Sequence, residues 1–466
     1  MQFGANVDIG KMNIGPLTGG WVLAGLFVLA LLLRLVCFTG LVASDDVAYA
    51  ENAQRIANGT YILEYHHFAI RYAVLLPIGL VYAIAGVSEW STIAVPLLAS
   101  SLSVVLMALI AARLFSNKAA LIAALLMATF PLQVRFATVV LPEPIVECYV
   151  LLAILVYVWT EERAQLAWGA LAGALIAAAY LAKEPALFIF PALAIDAAVR
   201  RRWRHAFGII LGATAVIGLE HAYYMATSSD LLFRLHAMAV HNQTVTSGRR
   251  ELLLDERLWY RLFLTYPRMM LVPNVHLGLH SLAAIILAFV ALLRFRRDRR
   301  VYFLLIWALV PFLYLNFGSS SLTKYIPIPV AARYIDFAYP PLFLLSAWLI
   351  ADSWSKHRRV RLLAVPMLAI ILVAGLVCGL LTRATAYRTT HVAVLRSIAE
   401  SAQKENIKSA CIDIPSDKTL QTRWRQSLFI LSAGGMQDCN KGLSHVVIRA
   451  DPLGLPYIAS REPALR

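Results

Sequence analysis

The sequence has little charge and little acid. Only 15% of its 466 residues are Asp, Glu, Lys or Arg, and 27 acidic residues face 42 basic ones. Five cysteines are present, without any metal-type spacing, so a zinc-ribbon or finger is excluded. Neither an internal repeat nor a low-complexity stretch breaks the chain. Long polar segments are scarce before residue 382. Hydrophobic residues make up 60% of the chain, where soluble domains run nearer 45–50% apolar.

Apolar runs of 16–24 residues recur along most of the length, enough to cross about 30 Å of hydrocarbon. Backbone polar groups must be satisfied internally there, so these runs are expected to be helices. The first, near 21–41, is too long for a signal-peptide core and is read as a retained anchor. The formal charge of +15 resides largely in short loops between apolar runs, which fits membrane orientation rather than nucleic-acid binding.

Arg113/Lys118, the run 200–204, the run 294–300 and the run 356–361 are the basic clusters. The positive-inside rule places all of them in the cytoplasm. Eleven spans satisfy this, near 21–41, 92–113, 119–136, 142–160, 165–182, 186–199, 206–226, 276–293, 301–317, 335–351 and 362–381, with the N-terminus inside. The apolar run 72–87 is then a re-entrant or membrane-surface helix. A competing arrangement lets 72–87 cross and folds 165–199 back as a re-entrant pair, leaving Arg113/Lys118 outside. The predicted class is an all-α polytopic membrane protein (residues 1–381) with a small C-terminal α/β unit (382–466) outside the cytoplasm. Helices near 391–404 and 420–432 and strands near 409–414 and 445–449 compose that unit, where a Cys411–Cys439 disulfide is feasible. The polar outer regions are 42–91, 227–275 and the tail.

Chemistry-bearing residues collect on the outer side. Ser44-Asp45-Asp46 opens a short helix that Gly59 closes, and helix capping alone also accounts for both aspartates. Tyr49 shares a helix face with Asp45. Glu143, between two prolines, begins a span, and Glu147 lies one turn deeper, where a carboxylate is costly and usually functional or paired. Arg135 is a candidate partner for either. Lys183 and Glu184 interrupt an apolar stretch and could pair with each other. Arg34, inside the first span, is expected to snorkel outward. Arg71, Arg135, Lys183, Lys324 and Arg333 together suggest a ring of cations suited to a phosphate. A metal on His66-His67 with an aspartate is conceivable, although no ligand spacing signals it, so no cofactor is firmly indicated.

The order of these pieces resembles a known family. A span ending Arg34-Leu35 precedes the acidic loop. Gly86-Val87-Ser88-Glu89-Trp90, Ala112-Arg113-Leu114-Phe115, Phe130-Pro131, Leu181-Ala182-Lys183-Glu184-Pro185 and Ala332-Arg333-Tyr334 follow, with Pro340-Pro341. Residues 20–350 resemble the GT-C superfamily of integral-membrane glycosyltransferases, most of all the branch of protein O-mannosyltransferases and lipid A aminoarabinose transferases. The resemblance implies a polyprenyl-phosphate-linked sugar donor, a lipid, glycan or protein acceptor, and transfer on the periplasmic face of a bacterial inner membrane. It also implies Asp45 as the base, Asp46 where the family usually has Glu, Glu143 as the second acidic site, and Arg71 near the phosphate-binding basic position, although the usual Lys-Pro-Pro-Leu is absent. A transporter or flippase of a lipid-linked or anionic substrate is the alternative. The chemistry is consistent by itself: a sugar phosphodiester carries its own leaving group, so one carboxylate base and fixed cations suffice.

Overall fold

The computed structural model describes residues 19–161, 165–241, 260, 263–264, 266–271, 278–319, 325, 328, 331–356, 358–389, 391–413, 418–438, 445–450 and 456–462. The chain is mostly helical. Among the described residues five helices are long and apolar enough to cross a membrane: Glu89–Leu114, Pro142–Trp159, Trp203–Ser228, Arg299–Phe317 and Ala332–Trp354. Six shorter apolar helices accompany them.

The N-terminal half holds α1 (Gly20–Val36), α2 (Asp45–Ala57), α3 (Tyr72–Ala85), α4 (Glu89–Leu114), α5 (Asn117–Ala128), α6 (Pro131–Phe136), α7 (Pro142–Trp159), α8 (Leu166–Ala182), α9 (Phe190–Val199) and α10 (Trp203–Ser228). Helical residues 233–241 form α11. Then come α12 (Tyr266–Leu271), α13 (Gly278–Arg294), α14 (Arg299–Phe317), α15 (Tyr339–Lys356) and α16 (Arg358–Thr389). The tail carries α17 (His391–Lys404), β1 (Ser409–Asp413), α18 (Lys418–Leu431), β2 (Gln437–Asp438), β3 (His445–Ala450) and β4 (Pro456–Glu462).

Prolines divide two of the expected spans. The run 119–136 is α5 and α6, parted at Thr129-Phe130, because Pro131 cannot donate a backbone bond and pushes Phe130 out of helical geometry (φ −66°, ψ 118°). The run 186–199 begins as the 3-10 turn Glu184–Ile189, with Pro185 inside it, and continues as the ten-residue α9. The first span closes at Val36; residues 37–44 run on without helix.

Small residues set the tightest crossing. Gly169 and Gly173 on α8 face Gly208 and Gly212 on α10, and a Cβ at Gly173 or Gly212 would overlap the carbonyl oxygen of Ile209 or Ala170. Helices packed without a hydrophobic driving force depend on such close backbone approach. Arg34 does not snorkel. It is fully buried, donating from Nε to Ser100 Oγ on α4 at 2.7 Å and from Nη1 to the Ala30 carbonyl at 3.1 Å.

The tail folds as a four-stranded sheet of order β2-β1-β3-β4, with β1 parallel to β2 and β3 and β4 antiparallel to β3. Val446 and Ile448 of β3 bury with Leu395 of α17 and Trp424 of α18. Cys411 on β1 is disulfide-bonded; Cys439 lies outside the described residues. Two polar contacts dock the tail onto the first loop region: Arg396 pairs with Glu89 through both guanidinium arms, and Gln426 donates to Glu51.

Candidate active site

The acidic pair at the start of α2 divides its duties. Asp46 is fully buried and turned back on its own loop, where it accepts the Val42 amide at 2.7 Å and the Ser44 amide at 2.6 Å. Burial pushes its carboxyl above the usual range, and those two amides pull against that. The cap expected of Ser44 is absent, its side chain making no capping bond. Asp45 faces the other way, about 30% exposed, and its Oδ2 accepts Arg333 Nη2 at 3.1 Å.

Arg333 stands on the 3-10 turn Ala332–Ala338 that leads into α15. Its Nε lies 3.6 Å from Oε1 of Glu143, at the first turn of α7. The same oxygen accepts Lys183 Nζ at 2.6 Å, and Lys183 also sits 4.1 Å over the Tyr334 ring. Four distant segments thus meet at one point: α2, the α7 start, the end of α8 and the approach to α15. Glu143 Oε2 is buried without a hydrogen-bond partner among the described residues.

A second network adjoins the first. Arg71, just before α3, donates to the Tyr49 hydroxyl and lies 3.6 Å from Glu184. Glu184 accepts Arg234 Nη1 at 2.8 Å; Arg234 Nη2 also donates to Glu220 at 2.6 Å, and Glu220 takes the Tyr224 hydroxyl at 2.7 Å. Burial would raise the Glu184 carboxyl, but Arg71 and Arg234 overcome it and hold it below the usual range. The Nε of Arg71 has no hydrogen-bond partner among the described residues.

The expected ring of bare cations is therefore a compensated lattice. Arg71, Lys183, Arg234 and Arg333 are matched by Asp45, Glu143, Glu184 and Glu220. Lys183 and Glu184 do not form an ion pair with each other; Lys183 reaches Glu143, and Glu184 takes Arg234. Arg135 does not take Glu143, which Lys183 and Arg333 occupy. It lies near Arg333, with its guanidinium 5.4 Å from the Phe136 ring. Lys324 lies outside the described residues. Glu147 is buried with neither oxygen hydrogen-bonded among the described residues. Sequence reading missed Arg234 and Glu220. Glu220 carried a usable signal, since a carboxylate within an apolar run is as costly there as at Glu147.

Residues 73–223 match the family model of dolichyl-phosphate-mannose-protein mannosyltransferase. No curated protein sequence matches the chain. Among solved structures, the chain is similar to the archaeal oligosaccharyltransferase AglB of Archaeoglobus fulgidus, in complex with an inhibitory peptide and a dolichol-phosphate, at 13% identity and a TM-score of 0.52. The match takes in 91% of this chain but only 65% of that enzyme's length. It is also similar to ArnT from Cupriavidus metallidurans bound to undecaprenyl phosphate, at 14% identity and a TM-score of 0.55, covering 93% of this chain and 94% of that one. The resemblance read from the sequence holds: this chain has the fold of the GT-C integral-membrane glycosyltransferases, and a third of it carries the mannosyltransferase family pattern.

Proposed function

We propose that the chain transfers a sugar from a polyprenyl-phosphate donor to a lipid, glycan or protein acceptor at the outer face of the membrane, with Asp45 as the base. One observation carries this reading: Asp45 is partly exposed and bonded to Arg333, whose guanidinium also reaches the Glu143–Lys183 pair. A base that removes the acceptor's proton and a cation that receives the leaving phosphate charge are then neighbours. When a phosphate takes over the Arg333 fork, Asp45 loses its counter-ion and is freed to act. The prenyl phosphates bound by the ArnT and AglB structures support the donor class.

The contacts also bear on orientation. If 72–87 crossed and 165–199 were re-entrant, the loop before Glu143 would lie on the opposite side from Asp45. Instead Arg333 bridges Asp45 and Glu143, and α3 is 14 residues, about 21 Å at 1.5 Å per residue. The basic clusters likewise contact one another's ends: Arg294 meets Asp352, Arg200 and Arg202 meet Glu161, and Arg300 meets the Leu114 carbonyl. This supports the arrangement with every cluster cytoplasmic, the site outside, and the tail beside it.

Purified protein incubated with a polyprenyl-phosphate sugar and a cell-envelope extract as acceptor should release the prenyl phosphate, and mass spectrometry of lipids and glycans should show a sugar lost from cells without the gene. Absence of both, with vesicle uptake of a lipid-linked or anionic solute instead, would favour the transporter.

A further inference from the structure

His66 and His67, in the loop between α2 and α3, come together with His241 at the end of the described part of α11. Their ligand-capable atoms all lie within 4.8 Å of one another. The His67 and His241 ring centroids are 3.6 Å apart and those of His66 and His67 4.6 Å. His67 is 6% exposed, and its Nδ1 has no hydrogen-bond partner among the described residues. An orphaned polar nitrogen at such depth costs about 1–3 kcal/mol unless something takes it. Ring stacking alone leaves that cost standing.

The surroundings suit a metal ion. Burial, with Arg71 adding to it, keeps all these imidazoles below their usual basicity, so they stay in the neutral form that ligates. Arg71 and Arg333 oppose a cation here, while Asp45 and Glu184 act in its favour. Imidazole donors select zinc-like borderline ions over magnesium or calcium, which want oxygen. Tetrahedral zinc with bonds of about 2.0–2.1 Å spaces its ligand atoms about 3.4 Å apart, so the widest pair here closes by about 1.4 Å through side-chain rotation. His66 Nδ1 already takes the Phe68 amide at a long 3.3 Å, which makes His66 the weakest ligand.

We propose that His66, His67 and His241 bind one zinc ion that clasps the first outer loop to α11. The clasp would fix the loop that carries Arg71 against the element that carries Arg234. It does not depend on the transfer chemistry, and its test uses neither donor nor acceptor.

The full-length protein in detergent is stripped with chelator, dialysed against zinc chloride and assayed for metal per chain. One zinc per chain is expected, and cobalt in its place should give the visible absorption of a tetrahedral site. His67→Ala and His241→Ala should each weaken zinc binding by ten-fold or more, and His66→Ala by less. His236→Ala, at an exposed histidine paired with Asp230, should leave it unchanged. If His67→Ala elutes as aggregate, the half-buried His241→Gln decides. The proposal fails if the wild type takes up no stoichiometric zinc, or if His241→Ala and His241→Gln bind it as the wild type does.

Discussion

Arg333 holds Asp45 at 3.1 Å with one arm of its guanidinium, and its Nε stands 3.6 Å from Glu143. One cation therefore lies between the two carboxylates that the sequence singled out, and it comes from a turn almost 290 residues beyond the first. Such a bridge keeps Asp45 oriented while leaving it about 30% exposed.

Asp45→Asn is expected to lower turnover by about 100-fold or more, the ordinary share of a positioned base, while donor binding persists. Asparagine preserves shape and still accepts from Arg333, so folding should survive. Turnover and prenyl-phosphate binding of the purified variant check this together. Wild-type turnover would remove Asp45 from the reaction.

Asp46→Ala should act on stability. It strips the Val42 and Ser44 amides of their acceptor in a buried turn, and orphaned buried groups cost about 1–3 kcal/mol each. A fall in the thermal midpoint is expected, with the folded fraction keeping its donor KM. The same loss of turnover as Asp45→Asn, without any change in midpoint, would instead put Asp46 in the chemistry.

The difference between these neighbours marks where the sequence stops being informative. Both aspartates satisfy the same helix-start rule, and only the path of residues 37–44 decides which one turns inward. Helix positions followed from apolar runs, and the tail strands Ser409–Asp413 and His445–Ala450 from short strand-like runs between helical stretches. Pairings did not follow. Lys183 reaching Glu143 and Arg234 reaching Glu184 are contacts across helices 40 and 50 residues apart, which local spacing cannot express. His241 had no visible connection to His66-His67 for the same reason.

Glu184 predicts a pH dependence. Arg71 and Arg234 hold its carboxyl below the unfolded value despite burial. A depressed carboxylate stabilises the fold above its unfolded pKa, about 4.3, and that stability is lost as pH falls through the folded value. Glu184→Gln removes the contribution at pH 7, where losing charge-assisted bonds in this partly buried pair costs about 1–3 kcal/mol. Thermal midpoints of wild type and variant should thus differ at pH 7 and converge as pH falls below the folded value. A gap independent of pH would show that the charge of Glu184 is not what matters.

Gly212→Leu should separate α8 from α10. Even a Cβ at this position meets the Ala170 backbone, which cannot move without carrying the helix. A loss of several kcal/mol or failure to fold is expected, against little change for Gly218→Leu on the same helix, where a Cβ meets nothing within 4 Å. Equal midpoints for the two variants would contradict the crossing.

Arg71 and Arg333 are expected to hold the donor phosphate. Departure of the sugar leaves a phosphate monoester whose charge grows in a poorly screened setting near hydrocarbon, where fixed cations act strongly. Both arginines approach the site from elements that start at its rim, α3 and the turn before α15. Arg71 keeps a buried Nε with no hydrogen-bond partner among the described residues, an edge open to one more acceptor. Arg333 can exchange Asp45 for a phosphate oxygen without losing Glu143. Arg71→Ala and Arg333→Ala should each raise the donor KM or lower kcat by ten-fold or more, about 1.4 kcal/mol or above. Lysine should rescue only in part, because a point charge cannot reproduce a planar fork. Arg299→Ala, at the start of α14 in the basic run 294–300, should change little. Donor kinetics unchanged in both outer variants would place the phosphate elsewhere and overturn the assignment of this lattice as the donor site.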